Sequence, residues 1–150
     1  FRGTKPTSRK DLYTDIYVGL NKMSNNKYFK IALENFINII NYYRAQNKKY
    51  IFEITGHSLG GSIALFLNSL TEYKFLIKKN TIFNPGITVL SLNTSVLNKY
   101  VKNKKNRFIV KYGDPISNGI LRYKPKNVVL LVKPLSKNPL TNHSLNVFLL

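Results

Sequence analysis

The sequence predicts an α/β fold with a largely parallel sheet and flanking helices. Apolar segments typical of strands alternate with amphipathic helical patterns, as in folds built from β-α-β units. The strand segments are continuous apolar runs, which indicates strands covered on both faces. The 150 residues are about the length of one domain. No internal repeat or linker-like segment divides them, so we expect a single domain over residues 1–150.

Four segments are predicted as strands and three as helices. The strands, in chain order, are Tyr50–Thr55, Thr81–Phe83, Arg107–Tyr112 and Asn127–Lys133. The first helix is predicted over residues 27–46, and a weaker one over about 90–103. Between them, a second helix follows the first strand. The apolar stripes that predict the first two helices consist of Phe29, Leu33, Phe36, Ile37, Ile40 and Tyr43, and of Leu59, Ile63, Phe66, Leu67 and Leu70.

The composition excludes several kinds of site. The chain has no Cys, which excludes disulfides, thiolate metal sites and a cysteine nucleophile. Its net charge of +18 is typical of proteins that bind nucleic acid or anionic membranes. However, 19 of the 24 basic residues are Lys and only 5 are Arg, beside 19 Asn. That bias is typical of an AT-rich genome, and Arg, which favours bidentate phosphate recognition, is the scarce residue. We therefore expect no nucleic-acid partner, although transient contact with an anionic membrane surface fits the lysines.

The first strand leads through a sharp turn into the second helix at a G-x-S-x-G pattern. Its residues are Gly56, His57, Ser58, Leu59 and Gly60, and a further glycine, Gly61, follows them. In such a turn the serine hydroxyl is lifted from the sheet at a helix N-terminus, whose free N–H groups can stabilise an oxyanion. Flanking glycines are needed because a Cβ there would clash with the neighbouring strand or helix. The pattern predicts Ser58 as a nucleophile.

A general base and an acid follow by elimination. The chain has two histidines, and the side chain of His57 should point away from the adjacent hydroxyl. This leaves His143, in a polar loop after the last strand, as the base. For the acid, the order Ser, Asp/Glu, His leaves Glu72 and Asp114. Glu72 is interpreted as a solvated helix end, whereas Asp114 lies at the carboxyl end of a strand, where α/β sheets build their sites. An Asp-Pro turn is the alternative role for Asp114.

These residues, together with the opening sequence, form a recognisable set. Its parts are Phe1-Arg2-Gly3-Thr4, Gly56–Gly61, Gly113-Asp114-Pro115 and Asn142-His143-Ser144. The set resembles the class 3 lipase family, the fungal triacylglycerol-lipase type of α/β-hydrolase. The resemblance implies an ester hydrolase that acts on acylglycerols, phospholipids or related lipid esters through a Ser58–Asp114–His143 triad, with no metal or cofactor. It also implies that the strands preceding F-R-G-T in the family lie outside this chain, so that the domain is truncated on its N-terminal side.

The resemblance implies further site residues. The oxyanion hole would use the backbone N–H and hydroxyl of Thr4 and the backbone N–H of Leu59. Asp15 matches the acid that orients the oxyanion hydroxyl, and residues 5–13 match the family's lid, which here is short and basic.

The alternative function is a basic module that binds nucleic acid or anionic membrane without catalysis.

Overall fold

The structure, a computed structural model, describes residues 27–47, 49–70, 72–86, 98, 101–132, 136–144 and 148. Helix α1 spans Lys27–Arg44, strand β1 Phe52–Ser58 and helix α2 Leu59–Ser69. Strand β2 spans Ile77–Pro85 and strand β3 Asn106–Lys111. A 3₁₀ helix follows at Asn118–Tyr123, then strand β4 at Val128–Leu131 and the short helix α3 at Pro139–His143.

The four described strands form one parallel sheet in the order β1-β2-β3-β4. The predicted α/β fold with a parallel sheet is therefore confirmed. Parallel strands all point the same way, so their carboxyl ends meet at one edge of the sheet. Ser58, the last residue of β1, and Asp114, three residues after β3, follow strand ends at that edge.

Strand β2 is longer than the sequence predicts. The apolar run covers only Thr81–Phe83, but the strand begins at Ile77, where its backbone pairs with β1; pairing with β3 begins at Asn80. The first part of β2, Lys78 to Asn80, is polar, so a search for apolar runs does not predict it as a strand. The predicted cover on both faces is wrong for β1, where burial alternates along the strand, and for β4, whose residues are exposed or half-buried.

Helix α1 ends two residues before the predicted limit, at Arg44, and α2 matches its predicted position. The third predicted helix lies mostly outside the described residues. Within it, the N–H of Lys102 donates to the carbonyl of Asn98 at 3.0 Å, which is one α-helical turn.

The core has two hydrophobic clusters. The first joins α1, β1, α2 and the start of β2 through Phe29, Ala32, Phe36, Ile40, Ile54, Leu59, Ile63, Ala64, Leu67 and Ile77. The second joins α2, β2, β3 and the 3₁₀ helix through Leu65, Ile82, Val101, Phe108, Val110 and Ile120. Helix α2 belongs to both clusters, so the helix that follows Ser58 is held by the whole core.

Three buried asparagines also tie α2 to the sheet. The Oδ1 of Asn106 accepts from Asn68 Nδ2 at 2.6 Å and from Asn80 Nδ2 at 3.0 Å. Asn80 Nδ2 also donates to the carbonyl of Ala64 at 3.0 Å. Directional bonds of this kind restrict how α2 can slide over β2 and β3, because buried polar groups lose free energy when they are left unpaired.

The core assignment predicts unequal costs for two Phe truncations. Phe108 in β3 is fully buried, whereas Phe75 is 80% exposed. We expect Phe108→Ala to lower the free energy of unfolding by about 3–5 kcal/mol, the usual cost of such a cavity. Phe75→Ala should change it by less than about 0.5 kcal/mol. Urea denaturation of both variants measures the difference, and equal losses would contradict the assigned core.

Candidate active site

The turn between β1 and α2 places Ser58 in an unusual backbone conformation. Its φ is 55° and its ψ is −124°, a positive φ that costs a non-glycine residue about 1–3 kcal/mol. The surrounding structure compensates: the N–H of Gly86 donates to the Ser58 carbonyl at 2.9 Å, and the Ser62 hydroxyl donates to it at 3.4 Å. The strained strand-to-helix turn that the G-x-S-x-G pattern predicts is present.

Two glycines make this turn possible. A Cβ added to Gly56 would lie 2.2 Å from the carbonyl oxygen of Gly60 in α2, closer than any side chain permits. A Cβ added to Gly61 would lie 3.0 Å from Ile82 Cγ2 in β2 and 3.2 Å from the Gly56 carbonyl oxygen. Helix α2 therefore starts in direct backbone contact with β1, which confirms the steric reason for the glycine at 56.

Three of the predicted site residues form one hydrogen-bonded chain. The hydroxyl of Ser58 lies 2.7 Å from His143 Nε2, and His143 Nδ1 lies 2.8 Å from Asp114 Oδ2. The sequence separates these pairs by 85 and 29 residues. All three are buried, with exposures of 1%, 3% and 0%, so water does not compete for these hydrogen bonds in this conformation.

The arrangement defines the protonation pattern of the imidazole. An ionised Asp114 can only accept, so Nδ1 of His143 carries the hydrogen. The lone pair of Nε2 then points at the hydroxyl of Ser58 and can accept its proton. Chemically, this is a serine whose proton has an acceptor already aligned.

Asp114 combines the two roles that the sequence left open. Its Oδ1 accepts the N–H of Ile116 at 3.0 Å, which is the bond of an Asp turn, while its Oδ2 faces His143. The Ser117 hydroxyl also donates to Oδ2. The preceding residue, Gly113, has a φ of 78°, a conformation that favours glycine. The two oxygens of the Asp114 carboxylate therefore have different partners, a turn N–H and the imidazole of His143.

Sequence reasoning missed Asn84, which joins the loops that carry the acid and the base. It is fully buried at the end of β2, and its Nδ2 donates to the carbonyls of Asn142 and His143 at 3.1 and 3.4 Å. Its Oδ1 accepts the N–H of Lys111 at 2.8 Å, and the Ser117 hydroxyl, which donates to Asp114, lies 3.4 Å from the same oxygen. Because carbonyls accept and the N–H donates, these partners fix the orientation of the amide. The sequence held no signal for it beyond a polar residue after a strand, one of 19 Asn.

The side chain of His57 contacts the backbone of His143, the predicted base. Its Nε2–H donates to the carbonyl of His143 at 2.7 Å, and the two rings lie 5.3 Å apart. Burial lowers the pKa of His57 from its usual 6.5, and the hydrogen bond to that carbonyl offsets this in part. His57 and Asn84 thus both donate to the carbonyl of the residue whose side chain reaches Ser58.

The side chain of Asn142, in α3, bonds to the backbone at the start of the loop that carries this helix. Its Oδ1 accepts the N–H of Ser136 at 2.9 Å, and its Nδ2 donates to the Ser136 carbonyl at 3.0 Å. This reciprocal pair fixes the start of the 136–143 loop against its end. The main chain of His143 is therefore held by side-chain hydrogen bonds rather than by a long regular element.

The remaining predicted residues divide into two groups. Leu59 is the first residue of α2, so its N–H is one of the four without an acceptor inside the helix. Thr4, Asp15 and the lid segment over residues 5–13 lie outside the described residues. Glu72, the rejected acid, is exposed.

The described part of the chain contains no candidate for a metal site or for a membrane-spanning helix. No group of three or more His, Asp and Glu residues there could hold a metal ion. Within the same residues, none of the helices has the length and apolar character that a membrane crossing requires.

Comparison with known proteins gives one family match. The family described as lipase (class 3) matches residues 1–118, more than three quarters of the chain. The matched region includes Ser58 and Asp114 and ends before β4 and His143. No curated protein and no solved structure matches the chain.

The lowered pKa of His57 predicts a pH-dependent stability. Because the folded state binds the proton of His57 less tightly than the unfolded chain, stability is fully present above pH 6.5 and falls as the pH drops from there through the folded pKa. His57→Gln keeps an N–H that can reach the His143 carbonyl but does not titrate. We expect wild type to lose more unfolding free energy than His57→Gln between about pH 7.5 and pH 5. Urea denaturation at both pH values measures this, and equal losses would contradict it.

Proposed function

The chain belongs to the class 3 lipase family, a family of lipase-type ester hydrolases, and we propose that it hydrolyses lipid esters with Ser58 as nucleophile, His143 as base and Asp114 as acid. The supporting observation is the unbroken hydrogen-bonded chain from the Ser58 hydroxyl through the imidazole to the Asp114 carboxylate. The strained turn at Ser58 adds to it, because such strain persists where the surrounding structure enforces it and often marks a functional position.

In the proposed reaction, Ser58 Oγ attacks the ester carbonyl carbon while its proton passes to His143 Nε2. Asp114 stabilises the resulting imidazolium through the Nδ1–H bond. Collapse of the tetrahedral intermediate expels the alcohol, which takes its proton from Nε2, and leaves an acyl-enzyme on Ser58. A water molecule then gives a proton to Nε2 and attacks the acyl carbon. The acid leaves, and Ser58 recovers its proton.

The charge that develops on the carbonyl oxygen needs hydrogen-bond donors in place before the reaction. The N–H of Leu59 is suited to this because it opens α2 beside Ser58, where the helix dipole also favours negative charge. We propose that Thr4 supplies the second donor through its N–H and hydroxyl, and that Asp15 orients that hydroxyl. Both assignments rest on the family resemblance of the opening sequence.

For the substrate we propose lipid esters, either acylglycerols or phospholipids. The family supports ester hydrolysis in general, and the net charge of +18 would favour a transient approach to an anionic lipid surface. No metal or cofactor takes part in this scheme. A non-catalytic module that binds nucleic acid or membrane is the competing function, and an aligned nucleophile, base and acid argue against it.

A fluorophosphonate probe tests the nucleophile. We expect wild type to be labelled and to hydrolyse at least one member of a panel of short esters, long triacylglycerols and phospholipids. The Ser58→Ala variant should not be labelled, and its rate of ester hydrolysis should fall about 10⁴–10⁶-fold. Ser69→Ala, at the far end of α2, is the matched control and should keep both. Labelling or turnover that survives in a folded Ser58→Ala protein would rule out this function.

The acid is tested by a pair of amide variants. In Asp114→Asn the side-chain oxygen can still accept from Ile116, so the turn should survive, while the amide facing His143 favours the wrong tautomer. We expect kcat to fall about 10⁴-fold. Glu72→Gln alters only an exposed carboxylate and should stay within about threefold of wild type. Thermal melts show that both proteins are folded; an active Asp114→Asn would leave Asp114 as a turn residue only.

A substitution of Asn84 tests whether this residue positions the loop that carries His143. In Asn84→Asp the acceptor for Lys111 remains, but an oxygen replaces the amide group that donates to the carbonyls of Asn142 and His143. The loop should shift, and a displacement near 1 Å costs about 10²-fold in kcat with KM little changed.

The matched control for this variant is Asn80→Asp, a buried amide earlier on the same strand. It should cost stability as well, because it also introduces a carboxylate into the core, but the folded protein should keep its kcat. Equal kcat values for the two variants, measured well below their melting temperatures, would exclude a positioning role for Asn84.

A further inference from the structure

A second concave surface lies at the amino-terminal ends of the strands, at the opposite edge of the sheet from Ser58. It is a cleft of about 530 Å³. We call it the basic cleft, after its cationic lining residues: Lys78, Lys79, Lys104, Lys105, Arg107 and Lys126. Among the residues that the structure describes, its lining contains a single carboxylate, that of Glu53 near the start of β1.

Composition alone does not explain this concentration of charge. Lys and Arg make up 24 of the 150 residues of the chain, but six of the ten described residues that line the cleft. The fold gathers them, because strand pairing places Lys79 beside Glu53 on β1 and Arg107 beside Thr81 on β2. The loops that enter β3 and β4 add Lys104, Lys105 and Lys126. The basic cleft is thus a product of the parallel sheet and not of one lysine-rich segment.

The positive charge of the cleft is not neutralised within the described part of the chain. No carboxylate oxygen there lies within 4.0 Å of any of the six cations, since the ion pair found by this criterion is His143 with Asp114. Lys105 is held in the wall instead, because its Nζ donates to the carbonyls of Lys74 and Ile77, the latter at 2.7 Å. Neutral carbonyls leave its charge in place. Several like charges around one cavity repel each other, and a bound anion relieves that repulsion.

We propose that the basic cleft binds a small polyphosphate, either free inorganic triphosphate or the triphosphate group of a nucleotide. Lysine is suited to phosphate because its ammonium is a compact charge with three donors. The cleft volume lies within the range of small-molecule sites, roughly 300–1,000 Å³. Its described lining contains no aromatic side chain on which a base could stack, so recognition falls on the phosphates.

The position of the cleft argues against a lipid surface as its occupant. Glu53 and Ser58 lie five residues apart on β1, which is about 17 Å at about 3.3 Å per residue. A bilayer seated on the amino-terminal edge would therefore face away from the serine that we propose to act on lipid. Because the cleft is separate from Ser58, this proposal does not depend on the proposed ester hydrolysis.

Isothermal titration calorimetry on the 150-residue chain tests the proposal. The probes are sodium tripolyphosphate, ATP, adenosine, a single-stranded oligonucleotide and vesicles of phosphatidylserine with phosphatidylcholine, all at one ionic strength set with NaCl. We expect saturable binding of tripolyphosphate and ATP with dissociation constants within about threefold of each other, and no binding of adenosine. Tighter binding of ATP than of tripolyphosphate would identify a nucleotide as the source of the triphosphate group. Equal affinity would identify the bare phosphate chain as the part that is recognised.

Paired charge reversals locate the site. Lys104→Glu with Lys126→Glu should weaken tripolyphosphate binding at least about tenfold, the scale of losing two charge-assisted contacts. Lys30→Glu with Lys49→Glu changes the net charge equally at exposed positions outside the cleft and should have less than about a threefold effect. If the first pair fails to fold, Lys104→Gln with Lys126→Gln serves the same purpose. Equal weakening by both pairs, no binding of tripolyphosphate, or binding of the oligonucleotide or vesicles alone would each overturn the proposal.

Discussion

The positive φ of Ser58 is the constraint on which the carboxyl-terminal edge of the sheet depends. A serine in this conformation needs α2 to start against β1, and the 2.2 Å approach of a Gly56 Cβ to the Gly60 carbonyl shows how closely the two backbones meet. The same turn requires a donor for the Ser58 carbonyl, which the N–H of Gly86 supplies just after β2. The close contact of β1 with α2 and the hydrogen bond from beyond β2 together hold this conformation, and α2 itself packs in both hydrophobic clusters.

His143, the proposed base, is not positioned by a long regular element. It lies in a five-residue helix that has little stability of its own. Its position depends on side-chain hydrogen bonds to its backbone from His57 and Asn84, with Asn142 closing the loop that carries it. Each of these donors is buried or partly buried, so an unmade bond would leave a polar group without water. The loop is therefore held in one place by hydrogen bonds whose loss would leave buried polar groups unsatisfied.

The parallel sheet also separates two kinds of chemistry along its strands. The carboxyl-terminal edge gathers the one fully buried described carboxylate, Asp114, with a serine and an imidazole. The amino-terminal edge gathers the six cations of the basic cleft. A charge of +18 spread over a sequence predicts neither location. Because the two edges are a strand length apart, the proposed ligand of the cleft and the proposed substrate at Ser58 would not compete for the same space.

The sequence by itself predicted the fold class and the turn at Ser58, and it selected His143 and Asp114, which the structure places in one hydrogen-bonded chain with Ser58. It could do so because these depend on local pattern and on elimination among two histidines and two acids, few enough to leave one plausible partner each. It missed the polar first half of β2, whose length comes from backbone pairing on both sides. Thr4 and Asp15 stay predictions, since they lie outside the described residues. Only the tertiary structure decided that Asp114 contacts both a turn N–H and the His143 imidazole, and that Asn84 and His57 bond to the backbone of His143. Those contacts join residues up to 86 positions apart, and the register of the sheet, which no local pattern encodes, brings them within hydrogen-bond distance.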